Sequence, residues 1–128
     1  MKIARITALL TILFQASLAM AGDIVPFSQT TFDQLTAQGK PVLLDIRATW
    51  CPTCRQQKPI LERIMQQPAY KDVTLLTIDF DTGKAARKEF KVASQSTLIA
   101  FKGAREVGRS VGDTSPNGIE ELVRKAAN

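Results

Sequence analysis

No histidine occurs anywhere in the chain, and cysteine, tryptophan and tyrosine are scarce, at two, one and one among 128 residues. Without an imidazole, a Cys–His hydrolase, an imidazole general base and a zinc site of mixed ligands are all excluded. A phosphate-cradling glycine loop, an internal repeat and a low-complexity linker are missing as well. The formal net charge of +5 is only mildly basic, and no basic run is interleaved with aromatic residues. No nucleic-acid partner is therefore expected.

Uninterrupted apolar stretches are short too. The run from Ile6 to Leu18 is broken by Thr7, Thr11, Gln15 and Ser17, and it falls short of the ~20 residues that a membrane-spanning helix needs. A basic start at Met1-Lys2-Ile3-Ala4-Arg5 precedes this run, and the small-x-small triplet Ala19-Met20-Ala21 follows it. That order predicts a secretory signal peptide over residues 1–21, cleaved before Gly22, with one domain over 22–128 and a periplasmic or secreted destination. Loss of Lys2 and Arg5 leaves 15 basic against 12 acidic residues, a net charge of +3. The remaining 107 residues suffice for one compact domain and not for two.

What the chain does have is Trp50-Cys51-Pro52-Thr53-Cys54-Arg55, which sets its only two cysteines three apart. The apolar run Pro41-Val42-Leu43-Leu44-Asp45-Ile46 before it reads as a buried strand. Pro59, Ile60, Leu61, Ile64 and Met65 after it repeat at helical spacing, predicting a helix from about Cys51 to Gln67 that Pro68 stops. The first turn of a helix has unpaired N–H groups and the positive end of the macrodipole, so it favours a thiolate at Cys51. Cys54, one turn on, is placed to attack a mixed disulfide formed at Cys51. Pro52 suits the first helical position, and Arg55 and Lys58 add positive charge nearby. Two cysteines so close would close too small a loop for a structural staple, so a redox-active disulfide between Cys51 and Cys54 is the better account. The rival use is a thiolate carrier of copper or an iron–sulfur cluster. Two thiolates leave such a metal under-coordinated, so no metal site and no cofactor is expected.

Along the rest of the chain, Ile24 to Phe27 reads as a short edge strand, and Ser28 or Thr30 as the cap of a helix that carries Phe32 and Leu35 inward and ends at Gly39. Val73 to Phe80 reads as a strand, and Lys84 to Phe90 as a helix with Ala85, Ala86 and Phe90 on one side. Thr97 to Phe101 and Glu106 to Val111 form a hairpin about Lys102-Gly103-Ala104. Ser115-Pro116 opens a last helix with Ile119, Leu122, Val123 and Ala126 as its apolar stripe. The order β-α-β-α-β-α-β-β-α predicts an α/β fold, a mixed central sheet with helices on both faces.

Residues beyond the cysteine pair tie the chain to a known family. Lys40-Pro41-Val42-Leu43-Leu44-Asp45, Ala48-Thr49-Trp50-Cys51, Pro59, Thr97-Leu98-Ile99-Ala100-Phe101-Lys102-Gly103 and Val111-Gly112 together resemble the thioredoxin superfamily over roughly residues 24–127. The resemblance implies the thioredoxin fold and a thiol–disulfide oxidoreductase acting on protein disulfides, with Cys51 as nucleophile and Cys54 as resolving thiol. A monomer is expected, and a periplasmic reductant would need a membrane disulfide reductase as electron donor, because no soluble reducing pool is expected outside the cytoplasm. Asp45, an acid in an apolar strand, is expected to have a raised pKa and to take the proton from Cys54. Trp50, Pro52, Thr53 and the loop Gln95-Ser96-Thr97 are the expected substrate contacts, with Tyr70 and Phe80 as packing.

Three positions depart from the family pattern. Ser96 stands where thioredoxins carry a cis-proline, and a cis bond before a non-proline costs ~3 kcal/mol. There Ser96 can offer a hydroxyl to the thiolate or admit a metal. Arg47 replaces an aromatic two residues after Asp45, and Thr77 replaces a lysine partner of that acid. Between the cysteines, Pro-Thr lacks the histidine of the strong periplasmic oxidants, which favours a reductant.

Overall fold

The computed structural model describes residues 20–128, so most of the expected signal peptide lies outside the described residues. Ten elements follow in chain order: β1 Asp23–Pro26, α1 Gln29–Ala37, β2 Pro41–Arg47, α2 Pro52–Met65, a 3-10 turn Pro68–Tyr70, β3 Thr74–Asp79, α3 Lys84–Glu89, β4 Thr97–Lys102, β5 Arg105–Val111 and α4 Pro116–Ala127. They make one five-stranded sheet in the order β1-β3-β2-β4-β5. β1 and β2 run parallel to β3, while β4 is antiparallel to both β2 and β5. Parallel pairing follows from the crossover helices, and the antiparallel pairing of β4 with β5 from the tight turn at Gly103. There φ is +59°, a conformation that glycine adopts without a steric penalty.

Side chains alternate across the sheet and meet two different layers. On one face Leu43, Leu75, Leu98 and Ala100 pack with Leu61, Ile64 and Met65 of α2 and with the Ile119, Leu122, Val123 and Ala126 stripe of α4. On the other, Val42, Leu44, Ile46, Leu76, Ile78 and Ile99 pack against Phe32 of α1 and Ala86 and Phe90 around α3. Burial on both faces is why β2 reads as a continuous apolar run, and it makes Asp45 an exception within that run. Odd-numbered in β2 like Leu43, Asp45 falls on the α2 face, paired across the sheet with Thr77 of β3 and Leu98 of β4.

Element ends differ from the sequence expectation in physically simple ways. Cys51 lies outside α2: its backbone is extended (φ −86°, ψ 112°), and it serves as the N-cap instead of a helical residue. Pro68 does not stop α2, which ends at Met65 three residues before it, but opens the 3-10 turn. Pro59 is accommodated inside the helix. β1 starts and ends one residue early, which leaves Phe27 outside the strand and against the α1 layer. Ser28, not Thr30, caps α1, with its Oγ accepting the Thr31 N–H at 3.0 Å. Ala85 was expected inside, but it is exposed and only Ala86 and Phe90 turn inward.

The α1 and α3 layer is held by an aromatic cluster. Phe32 is tilted edge-on to Phe90 and Phe101, with ring centroids 5.0 and 5.1 Å away, and Phe27 closes the group at 6.1 Å. Each ring adds edge-to-face attraction to its buried area. Phe32→Ala is expected to destabilise the fold by about 4 kcal/mol in urea unfolding; a loss below about 1 kcal/mol would mean that the cluster carries little of the core.

Candidate active site

The structure joins Cys51 and Cys54 in a disulfide at the mouth of α2. As N-cap, Cys51 supplies Sγ where an oxygen usually stands, and it accepts the Cys54 N–H at 3.1 Å. Ser96 arrives from the loop before β4 with its Oγ 3.1 Å from each sulfur. A disulfide has no S–H, so the Ser96 hydroxyl is the donor, with one hydrogen for two acceptors. Around the pair lie Ala48 and, half-buried, Phe80, whose other side carries the Arg87 guanidinium 4.1 Å from the ring centre.

The Ser96 loop is built to stay put. The described residues contain no cis peptide bond, and Ser96 instead takes φ +63°, the left-handed region that costs a non-glycine residue about 1–3 kcal/mol. Its carbonyl accepts two donors, the Gly112 N–H at 2.9 Å and the Gln57 side-chain amide at 3.4 Å. The same amide donates to the Asp113 carbonyl at 2.8 Å, tying α2, the Ser96 loop and the segment after β5 together. Thr97 is buried and spends its hydroxyl on the Ser94 carbonyl at 2.6 Å. Gln95 is half-buried beside it.

Both cysteines are buried, Cys51 being 1% and Cys54 6% exposed. The capped position folds Cys51 back under Ser96, whereas Cys54 borders a cavity of about 580 Å³ beside α2 and the end of β2. Arg47, Arg55 and Lys58 bring three cations to this cavity. At the surface, Trp50 is half exposed, with its indole N–H donated to Asp81 at 2.7 Å; Pro52 is exposed and Thr53 half-buried.

Asp45 sits beneath, 3% exposed, with the Arg47 guanidinium 3.8 Å from its carboxyl. Burial pushes its pKa up and Arg47 pulls it back, leaving it at about 6. A second, small cavity of about 70 Å³ reaches Asp45, and Arg47 and Lys58 line both cavities. The two sulfurs and Ser96 are thus in contact, and Arg47 and Lys58 border both the cavity at Cys54 and the one at Asp45. Among the described residues no three acids or cysteines gather in a group that could hold a metal.

Sequence reading missed Gln57 and Asp81. Gln57 had a signal, because Cys54, Gln57, Leu61 and Ile64 follow one helical stripe and a polar residue stands in it; Gln57 is 1% exposed and its Oε1 has no partner. Asp81 had none, lying 31 residues from the indole it anchors. Phe80 packs as expected, against both the disulfide and the apolar cluster of the α1 and α3 face.

A disulfide capping a helix at the edge of a mixed sheet, with a buried acid behind it, defines a thiol–disulfide oxidoreductase. The chain belongs to the thioredoxin family, whose sequence model matches residues 23–125. It is 38% identical over 98 residues to a thioredoxin of Chlamydia muridarum, covering 77% of this chain and 93% of that protein. Among solved structures it is similar to Trxlp from Edwardsiella tarda EIB202, with 42% identity and a TM-score of 0.77 over 79% of this chain and 98% of that one. The Malassezia sympodialis thioredoxin Mala s 13 superposes with a TM-score of 0.74 at 26% identity, over 84% of this chain and 93% of that one.

The elevated pKa of Asp45 makes a stability prediction. Its folded value of about 6 lies above the ordinary aspartate value of 3.8, so the folded state binds more protons between them and stability falls as pH rises through that window. Above it the buried charge costs about 3 kcal/mol. Asp45→Asn is expected to raise unfolding stability by up to that amount at neutral pH, with the gain fading below about pH 4. Urea melts of both proteins across this range check it; a gain that does not depend on pH would refute the assignment.

Proposed function

We propose that the chain is an exported, periplasmic thioredoxin-like reductant of protein disulfides, working as a monomer through attack by Cys51 and resolution by Cys54. The observation that carries the reading is the Cys54 N–H and the Ser96 hydroxyl, each 3.1 Å from Cys51 Sγ. Both donors strengthen when that sulfur is a thiolate, so the reduced pair has its charge where the helix start favours it. Reduced Cys51 attacks one sulfur of a substrate disulfide, the substrate bond breaks, and its other half leaves as a thiolate. Cys54 then loses its proton, attacks Cys51 and releases the second substrate thiol, which restores the disulfide. Asp45, with a pKa of about 6, takes that proton near neutrality. Exposed Trp50 and Pro52, half-buried Thr53 and the Gln95-Ser96-Thr97 backbone offer the incoming segment a docking surface.

Magnitude supports a reducing direction of electron flow. A donor to the thiolate stabilises the reduced form and makes the couple more oxidising, by about 30 mV for about 1.4 kcal/mol. That is a fifth of the roughly 150 mV between thioredoxin and the strong oxidants of the same chemistry. Ser96 therefore leaves the pair on the reducing side. Its electrons come from a membrane disulfide reductase.

Export is supported by the basic, apolar and small-residue order of the first 21 residues, and by a fold that engages from Gly22, whose N–H donates to the Met65 carbonyl at 2.8 Å. In an insulin-reduction assay, Cys51→Ser is expected to abolish turnover and Cys54→Ser to accumulate a mixed disulfide; turnover at the unmodified rate in either variant would rule the mechanism out. Cell fractionation followed by N-terminal sequencing is expected to find a periplasmic chain that begins at Gly22. A full-length chain confined to the cytoplasm would contradict export.

A further inference from the structure

We propose that the cavity between α2 and the ends of β1, β2 and β3 is a binding site for a small organic dianion, a molecule with two carboxylate-like groups on an apolar body. Binding there is non-covalent and takes no part in the exchange of sulfur bonds, so the site does not depend on how the thiol pair is used.

Charge at this cavity is unbalanced. Arg47, Arg55 and Lys58 line it against a single acid, Asp79. Asp79 spends its Oδ1 on its own turn, accepting the Asp81 and Thr82 N–H groups at 2.9 Å each and the Thr82 hydroxyl at 3.1 Å. None of the three cations pairs with it. Arg55 has no acidic partner among the described residues; it gives one N–H to the Thr49 carbonyl at 3.2 Å and keeps the rest of its donors. Lys58 pairs with Glu62 at 3.1 Å, an exposed pair worth little in water. Arg47 is 3.8 Å from the Asp45 carboxyl, beyond hydrogen-bond range, so its donors are open as well. Three like charges around one recess repel one another, and a bound anion relieves that repulsion.

The walls suit two anionic groups with an apolar body between them. Arg55 and Lys58 are three apart on α2 and share one face of it, while Arg47 comes from the end of β2. Pro26, Phe27 and Ala48 supply apolar surface to the same recess. These walls are already fixed: the Phe27 N–H donates to the Thr77 carbonyl and the Phe80 N–H to the Arg47 carbonyl, both at 2.9 Å, and the Phe27 ring stands edge-on to Phe90 at 5.9 Å. A volume of about 580 Å³ falls within the usual range for small-molecule sites. Arg47 is one of the departures from the family pattern, so this chain puts a charge where a ring is the rule. A second basic group, Lys84, Arg87, Lys88 and Lys91, has more charge but comes from one stretch of chain with no facing wall. It provides an internal comparison between a built site and diffuse attraction.

Benzene-1,3-disulfonate is the probe, because both of its charges persist at any pH where the protein is folded. Titrated into the isotope-labelled oxidised chain and followed by amide NMR, it is expected to give saturable shifts at Thr49, Arg55 and Thr77, with a dissociation constant below about 1 mM. Arg55→Ser and Lys58→Ser are each expected to weaken binding about tenfold, the usual worth of a hydrogen bond to a charged group. Lys88→Ser combined with Lys91→Ser is expected to change it by less than about twofold. The uncharged benzene-1,3-diol is expected to leave the spectrum unchanged. Thermal unfolding of each variant separates lost binding from lost fold, and the shift map of the unmodified chain needs no variant. Absence of saturation, shifts centred on α3, or equal weakening by the two pairs of substitutions overturns the inference.

Discussion

A sulfur atom caps the helix that carries the chemistry, and the rest of the site is arranged around that substitution. An N-cap side chain normally offers oxygen to the first free N–H groups; here Cys51 Sγ accepts the Cys54 N–H. Because the cap must be extended while the next residue is helical, Cys51 and Cys54 are brought to a Cα separation of 5.3 Å, inside the range a disulfide spans. Pro52 makes this arrangement inexpensive, since it lacks the N–H that the first helical position would leave unpaired. The cap and the disulfide are therefore one piece of geometry.

Keeping that geometry costs stability in three places on the α2 face. Asp45 puts a carboxyl beneath α2, Gln57 buries an Oε1 without a partner, and Ser96 holds a left-handed backbone. Each penalty is of the order of 1–3 kcal/mol. They persist because the opposite face of the sheet is almost purely apolar, with the Phe27, Phe32, Phe90 and Phe101 cluster at its centre. Gln57 is the member that joins costs to function: one amide fixes both the Ser96 carbonyl and the Asp113 carbonyl, so the loop over Cys51 cannot shift without disturbing α2.

Periodicity made most of the fold legible in advance. The β2 run, the Ile119 stripe of α4 and the Gly103 turn each follow from spacing or from a backbone angle that few residues adopt, and the cysteine pair located the site. Element ends were less legible, because whether Cys51 is the first helical residue or the cap depends on one backbone rotation that its neighbours do not encode. The contacts between distant segments were out of reach: Trp50 to Asp81 and Gln57 to Asp113 depend on how loops meet after the sheet has formed. Ser96 was legible as a departure from the family pattern, but its equal distance to both sulfurs was not.

Burial and hydrogen bonding divide labour between two chemically identical side chains. Cys51 takes the Cys54 N–H and Cys54 borders the cavity with its cations, while the Ser96 hydroxyl is 3.1 Å from both sulfurs. Ser96 is the hinge of that division, because its single hydrogen lies within reach of either sulfur and turns to whichever bears the charge. An alanine at that position would lose the donor, and a proline, whose ring fixes φ at about −65°, could not take the +63° backbone that Ser96 has. The side chain that departs from the family pattern is thus the one that lets charge move between the sulfurs without moving the backbone around them.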